Sequence, residues 1–232
     1  MIRIEKTAVY GWRAALRGMR NPKNSWDNSD TQYYRTQPLF DYEDEDEESE
    51  YVMLGNNDYK LATTLANAGS EHGKFLRMIN VTCDIVAPLY WWKEFDTYKV
   101  GTVADSCSTM HKIQAKEFTL NDFSHEHLEK LSIDSQEVAE ADGASVLQFI
   151  IKFLNFYRDM FNKTKDKNYW WQMIQLLPSS YNQRRTIQFN YAVLRAMYKQ
   201  RKDHKLDEWH SFCDWIKTLP YCELITGEQN ES

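Results

Sequence analysis

Between Lys99 and Thr109 the chain gathers Lys99, Thr102, Asp105, Ser106, Cys107, Ser108 and Thr109, with His111 just beyond. Hydroxyls, backbone N–H groups and one cation are the donors that hold a phosphate. A plain turn between helices has the same composition, so the residue types alone leave both readings open. A second constellation joins Asn190 and Arg201. Read as helix, positions 190, 194, 197 and 201 follow i, i+4, i+7, i+11 and share a face, with Leu194 and Met197 as an apolar floor. At ~1.5 Å per residue the two polar groups stand about 16 Å apart, the reach of an extended nucleotide or cofactor. An amphipathic core helix with polar ends gives this pattern too.

Other groupings carry less. His125 and His127 flank Glu126 and would be metal ligands on a strand, but the segment NDFSHEHLEKL reads as a capped helix start, where alternate residues diverge. Cys107 would be nucleophilic only beside a base, and an inert thiol is the simpler reading. H-E-x-x-H, G-x-S-x-G and Gly-rich nucleotide loops are all missing from the sequence. The 8 Trp and 14 Tyr suit stacking on nucleobases or flavins, and equally an aromatic core or a subunit interface.

The elements that must position these groups follow from periodicity. Ile2 to Ile4 alternates as a strand, and Val9 to Met19 follows as a helix closed by Asn21-Pro22. Residues 24–50 read as a polar surface loop ending in the acidic run DYEDEDEESE. A helix is expected over Asn57 to Ala68, with Leu61, Leu65 and Ala68 on one face and Gly69 closing it. From Met78 to Val86 the period becomes two, with Ile79, Val81, Cys83 and Ile85 on one side. Ala87-Pro88 then opens a helix running from Leu89 to about Tyr98, and the small-residue stretch from Gly101 to Thr109 is a loop. Ala144 to Phe161 is apolar nearly all round and is expected to be buried. Further helices are expected around Tyr169 to Leu176, from Asn182 to Arg201, and from Leu206 to Leu219 before Pro220. With no internal repeat and no linker, 1–232 is read as a single helix-rich α/β (α+β) domain with a small mixed or antiparallel sheet.

At 232 residues and 42% hydrophobic composition the chain can bury a substantial core. Its net charge of -6 argues against a nucleic-acid polymer as partner. Much of that excess sits in Asp41 to Glu50, and the remaining body is nearly balanced. The dispersed Cys83, Cys107, Cys213 and Cys222 fit a reducing compartment. No apolar run reaches membrane-span length and MIRIEKTAVYG lacks a signal-peptide core, so a cytoplasmic protein without membrane contact is expected.

Two stretches together resemble the flavin-dependent thymidylate synthase family. The first is APLYWWKEFDTYKVGTVADSCST, Ala87 to Thr109. In the family an Ala-Pro helix start leads to the signature R-H-R-x-x-S-x-N-E-x-S-x-R, which binds flavin and deoxyuridylate. Laid on without a gap, its basic trio falls on Thr97, Tyr98 and Lys99, its serine on Thr102, and its Asn-Glu on Ala104 and Asp105. The second serine falls on Cys107 and the last arginine on Thr109. The second stretch, Leu177 to Trp209, resembles the family's Leu-Pro, asparagine-bearing helix and Leu-Arg tail. Pro178, Asn190 and Arg201 keep the spacing, while His204 and Trp209 follow with one extra residue. GSEHGKFLRM, Gly69 to Met78, looks like a variant of the family's Gly-His-x-x-x-Phe-Glu-His segment.

The resemblance covers residues 57 to 218 and implies roles. Arg201 would polarise the pyrimidine as the catalytic residue. Lys99, Asp105, Ser106, Ser108 and Arg184 would join it as substrate contacts. His72, Tyr98, Lys99, Val100, Thr102 and Asn190 would line the flavin, and no metal is implied. The implied reaction methylates dUMP to dTMP with methylenetetrahydrofolate and reduced FAD, with NADPH (the NADP couple) as hydride source, in a homotetramer. The signature is altered, however. Threonine at two arginine positions and lysine at a third remove planar bidentate contacts, each worth about 1.5–3 kcal/mol. The same residues therefore also fit a diverged relative, a hydroxymethylase or a non-catalytic nucleotide-binding protein.

Overall fold

The computed structural model describes residues 2–34, 49–128 and 143–228. In chain order the elements are β1 (Arg3–Tyr10), α1 (Trp12–Arg20), β2 (Gln32–Tyr34), β3 (Tyr51–Met53), α2 (Asn56–Asn67), β4 (Asn80–Pro88), α3 (Leu89–Phe95), β5 (Val103–Ser106), α4 (Gly143–Thr164), α5 (Lys167–Leu176), β6 (Asn182–Asn190), α6 (Tyr191–Arg201), α7 (Asp207–Lys217) and α8 (Glu223–Thr226). Helix dominates. Four strands make one sheet in the order β1-β4-β6-β5, and β2 pairs antiparallel with β3 in register Gln32 with Met53. The chain packs as two compact units. Val86–Asp96 and Ser106–Arg185 form one unit, called central for its place in the sequence alone, and the stretches that flank or interrupt it in sequence, Ile2–Ile85, Thr97–Asp105 and Thr186–Ser232, form the other, called flanking.

In the flanking unit β4 buries Val81, Cys83 and Ile85 on alternate positions, as its period of two predicts. α1 turns Trp12, Ala15, Leu16 and Met19 inward, and Trp12 meets Tyr191 edge-on at 5.4 Å. α1 begins at Gly11, whose φ of 95° and whose approach to the Met78 carbonyl exclude a side chain; a Cβ would lie 2.1 Å from that oxygen. Arg20, at the helix end, is buried against Asp58 of α2 with Nε to Oδ1 at 2.6 Å. Ser29, Thr31 and two backbone N–H groups donate to the other Asp58 oxygen. This satisfies the buried pair and pins the segment before β2.

The central unit has an aromatic floor in α3, where Trp91, Trp92 and Phe95 are buried. Trp92 Nε1 donates to the Gln183 carbonyl at 3.0 Å. α4 and α5 pack together around Leu147, Ile151, Leu154 and Met173, joined by Ile113, Phe118 and Phe123.

Several sequence expectations change. The segment from Asn182 to Arg201 is not one helix: Asn182–Asn190 is a strand and only Tyr191–Arg201 is helical. QRRTIQFN fits either periodicity, and sheet pairing beside β4 decides it. The expected loop from Gly101 to Thr109 contains the short edge strand β5. The α3 helix ends at Phe95, short of Tyr98. The capped start around His125 is instead a 3-10 turn over Leu120–Asp122 followed by the Phe123–Tyr181 bridge. α4 is not buried all round, because Val146, Phe149, Phe153 and Phe156 are exposed. Within 24–50, β2 replaces part of the loop, and the acidic run up to Glu48 lies outside the described residues.

Candidate functional site

The flanking unit brings Tyr98, Arg201 and Trp209 into one cluster. Arg201 closes α6, and the chain then turns back, with His204 N–H donating to the Arg201 carbonyl at 3.0 Å. This return lays the buried Trp209 of α7 beneath the guanidinium, 4.8 Å from its ring centroid. The Tyr98 ring lies 5.5 Å from the same cation and meets Trp209 edge-on at 6.1 Å. Arg201 Nε donates to the Tyr98 hydroxyl at 2.8 Å, and that hydroxyl donates to Gln200 Oε1 at 2.9 Å. The planar cation is thus oriented by two rings and one oxygen. Such a fork suits a planar heterocycle that carries carbonyl oxygens.

The segment leading into β5 is built around the same cluster. Thr102 Oγ1 donates to the Tyr98 carbonyl. Gly101 has a φ of 81°, and a Cβ there would lie 2.7 Å from Val193 and 3.0 Å from Asn190 Nδ2. Asn190 is the N-cap of α6, its Oδ1 accepting from Val193 N–H at 3.0 Å. It therefore stands at the start of the helix whose last residue is Arg201, which keeps the two at opposite ends of α6. Lys99, Val100 and Asp105 are exposed in the same unit.

A cleft of about 250 Å³ opens in the flanking unit where α2, the turn Gly73–Met78 and α6 meet. Ala66, Gly73, Ala192 and Ala196 make room, and Arg77, Arg195 and Lys199 supply charge. None of the described residues lining it is acidic. Arg195 donates to two neutral acceptors, the Leu224 carbonyl at 2.7 Å and Asn67 Oδ1 at 2.8 Å. Burial lowers the pKa of Arg195 from its usual value. A desolvated cation with neutral partners favours an anion beside it. The sequence reading missed all three cations, because they are far apart along the chain and only packing unites them. Their one legible signal was Arg195 and Lys199 at i and i+4 on α6.

His72 lies outside this cleft, in a second one lined by Met19, Lys23, Leu65, Glu71, Phe75 and Met78. In the central unit Ser106 ends β5, and the Cys107 N–H donates to the Arg184 carbonyl at 2.9 Å. Ser108 Oγ accepts from the N–H groups of Met110 and His111 and lies 2.9 Å from His111 Nδ1. Arg185, beside Arg184, spans Asp96 at 2.6 Å and the Trp92 ring at 4.2 Å. His125 Nδ1 lies 2.8 Å from the Phe123 carbonyl. Among the described residues no group of three or more His, Cys, Asp or Glu side chains is placed to hold a metal, and no helix is long and apolar enough to cross a membrane.

No protein-family model and no curated relative matches the chain. Solved structures do. The flavin-dependent thymidylate synthase ThyX of Helicobacter pylori, complexed with FAD and dUMP, superposes with a TM-score of 0.65 at 14% identity, over 97% of this chain and 98% of that one. A second structure of that enzyme with FAD and dUMP gives the same TM-score over 98% of each chain. The UMP/dUMP methylase PolB of Streptomyces cacaoi, bound with 5-Br dUMP, gives 0.57 at 12% identity, over 98% of this chain and 95% of that one. Across nearly its whole length the chain therefore has the fold of the flavin-dependent thymidylate synthases.

Proposed function

We propose that this chain is a divergent flavin-dependent thymidylate synthase-like enzyme, with 1–232 as one such domain, that methylates dUMP to dTMP with methylenetetrahydrofolate and reduced FAD. The observation that carries the reading is the Tyr98–Arg201–Trp209 cluster, a pre-oriented cation at the residue that the motif resemblance matches to the family's pyrimidine contact, in a chain with the family's fold. Arg201 engages the pyrimidine carbonyls, and Tyr98 fixes its plane. The cleft lined by Arg77, Arg195 and Lys199 suits the phosphates of FAD in charge. When bound, reduced FAD supplies the hydride that completes the methyl group. NADPH serves as its reductant.

Residue by residue, the reading assigns Lys99, Asp105, Ser106, Ser108, Arg184 and Arg201 to substrate, and His72, Tyr98, Lys99, Val100, Thr102 and Asn190 to flavin. The protein is further read as a cytoplasmic homotetramer. The test is the visible spectrum of the purified chain with FAD, followed under anaerobic reduction. Bound flavin that is reoxidised only with dUMP and methylenetetrahydrofolate, yielding dTMP, is the expected result. A colourless protein that takes up no FAD and ignores dUMP overturns the reading.

A second reading is favoured by one observation: Thr97 and Thr109 stand where the signature has arginines. It makes the chain a relative that binds or differently modifies a pyrimidine nucleotide, as a hydroxymethylase or without catalysis. Stabilisation by dUMP without FAD uptake, or a product other than dTMP, selects it.

A further inference from the structure

Between Thr97 and Ser108 every residue is exposed except Tyr98 and Thr102, which are half-buried. Such a segment has little packing of its own to order it, so restraint at its ends weighs more. Both ends are held in the central unit by one pair of side chains. Gln183 and Arg185 stand two apart on β6 and face the same side of the sheet, while Trp92 and Asp96 stand four apart along α3 and its cap. The Arg185 guanidinium lies over the Trp92 ring at 4.2 Å, and Trp92 Nε1 donates to the Gln183 carbonyl at 3.0 Å. Held in that plane, Arg185 donates from its two Nη atoms to the Asp96 oxygens at 2.6 and 3.4 Å, and from Nε to Gln183 Oε1 at 3.0 Å. The Gln183 amide carries the contact onward, donating from Nε2 to the Cys107 carbonyl at 2.8 Å. Gln183 is buried with both ends of its amide paired, so its orientation is set.

We propose that Arg185 is a positioning residue which, with Gln183, clamps the two ends of segment 97–106 at a fixed separation, through Asp96 on one side and Cys107 on the other. The segment carries Tyr98, which orients Arg201, together with Lys99, Thr102 and Asp105. The effect on ligands therefore rests on the proposed nucleotide and flavin reading, whereas the clamp itself does not. One guanidinium reaches both ends because its fork has donors in two directions: the Nη pair takes a carboxylate and Nε takes an amide oxygen. Lysine offers a single point of charge and cannot do both. The Asp96 side chain is 53% exposed, and an ion pair so open to water adds little to global stability. Its loss should appear in ligand affinity rather than in the fold, because a segment ordered beforehand costs less to bind.

The test is hydrogen exchange of the full chain read by mass spectrometry, paired with calorimetric titration of dUMP. Arg185→Met keeps an unbranched side chain on Trp92 and removes the fork. Exchange is expected to quicken in peptides covering 97–108 and to stay at the wild-type rate in α4, α5 and α6, with dUMP affinity falling about tenfold. Asp96→Ala, at an exposed position that keeps the test readable if Arg185→Met folds poorly, should loosen the same peptides less and add nothing in an Arg185→Met background. Arg185→Lys should fall between wild type and Arg185→Met in both readouts. Unchanged exchange over 97–108 in folded Arg185→Met or in Asp96→Ala overturns the clamp. Faster exchange spread evenly through the chain overturns it too, since that marks a structural role alone. Confined loosening with unchanged affinity, in a protein whose wild type binds dUMP, overturns the positioning role. If the wild type takes up no dUMP, the nucleotide reading falls, and confined loosening in both variants still supports the clamp.

Discussion

The Arg201 guanidinium and the Tyr98 hydroxyl meet at 2.8 Å although 103 positions separate them in sequence. The contact ties the end of α6 to the segment that precedes β5, and Trp209 closes the cation from another side. A cation held this way has lost most of its rotamer freedom before a ligand arrives, which lowers the cost of binding. Tyr98→Phe removes the oxygen and keeps the ring. It is expected to weaken dUMP binding by about 1.5 kcal/mol, roughly tenfold, the usual worth of a hydrogen bond to a charged group. Arg201→Ala is expected to abolish dUMP binding while the far-ultraviolet circular dichroism stays native. Titration calorimetry of both variants checks this, and unchanged affinity in Arg201→Ala would place the nucleotide elsewhere.

The cation-lined cleft gives a second expectation. Lys199 is exposed on its wall, one helical turn from Arg195. Lys199→Glu introduces a charge that repels phosphate and leaves the packing of Leu194 and Met197 alone. FAD affinity should fall by about tenfold or more at low salt, and by less as salt screens the site. Fluorescence titration of FAD at two ionic strengths reads both effects. If the variant binds FAD as the wild type does, the phosphates lie outside this cleft.

The parts of this architecture that the sequence displayed are those where local pattern and packing agree. The alternation of Val81, Cys83 and Ile85 marked β4, and Ala87-Pro88 marked where α3 begins. Asn182–Asn190 was hidden because Arg184, Arg185 and Thr186 are polar in both readings, and the strand exists through its neighbours in the sheet. The near-continuous apolar run of α4 predicts burial, yet it encodes two separate faces, Leu147/Ile151/Leu154 and Phe149/Phe153/Phe156. Arg201 and Asn190 were singled out by a spacing read as one helix face, whereas Asn190 ends β6 and caps the helix that Arg201 closes. Arg77, Arg195 and Lys199 carried no shared motif, since their common cleft is made by α2, a turn and α6 folding together.

Asp58 makes stability depend on acid. Burial alone would raise its pKa, but hydrogen bonds from Thr31, Ser29 and Arg20, together with the Arg20 charge, outweigh this and hold it below the usual carboxylate value. A carboxylate with a depressed folded pKa contributes fully above its unfolded pKa of about 3.9 and loses that contribution as pH falls through the folded one. Unfolding free energy should therefore drop steeply below about pH 4. Asp58→Asn leaves Arg20 buried without its partner, and should cost about 3–5 kcal/mol at neutral pH while flattening the acid limb. Urea denaturation of both proteins from neutral pH into acid checks the two parts together.

Thiol chemistry separates the cysteines. Cys83 is buried in β4, where desolvation and the nearby Asp84 push its thiol far above the ordinary range. Cys213 is pushed up to about 11, chiefly by burial. Cys107 is exposed after β5. Because the thiolate is the reacting species, brief treatment with an alkylating reagent at pH 8 should label Cys107 well before Cys83 or Cys213. Peptide mass spectrometry reads the order. Early labelling of Cys83 would mean that β4 opens readily.

Glu50 provides a cap from a distance. α1 starts at Gly11, which has no side chain to accept from the first-turn N–H groups, and Trp12 N–H donates instead to Glu50 Oε2 at 3.0 Å. Glu50 N–H in turn donates to the Val9 carbonyl at 2.8 Å, and Val9 N–H donates to Ser49 Oγ at 3.2 Å, so the carboxylate is held in place by backbone. A negative charge at a helix N-terminus is favourable by about 0.3–1 kcal/mol beyond the hydrogen bond itself. Glu50→Ala removes both and should lower unfolding free energy by about 1–2 kcal/mol. Glu50→Gln keeps an acceptor oxygen and loses only the charge, so it should fall between the two. The gap between Glu50→Gln and wild type should shrink in high salt, whereas the gap between Glu50→Ala and Glu50→Gln should persist. Urea midpoints at two salt concentrations measure both gaps, and equal loss in the two variants would mean that charge alone holds α1 in place.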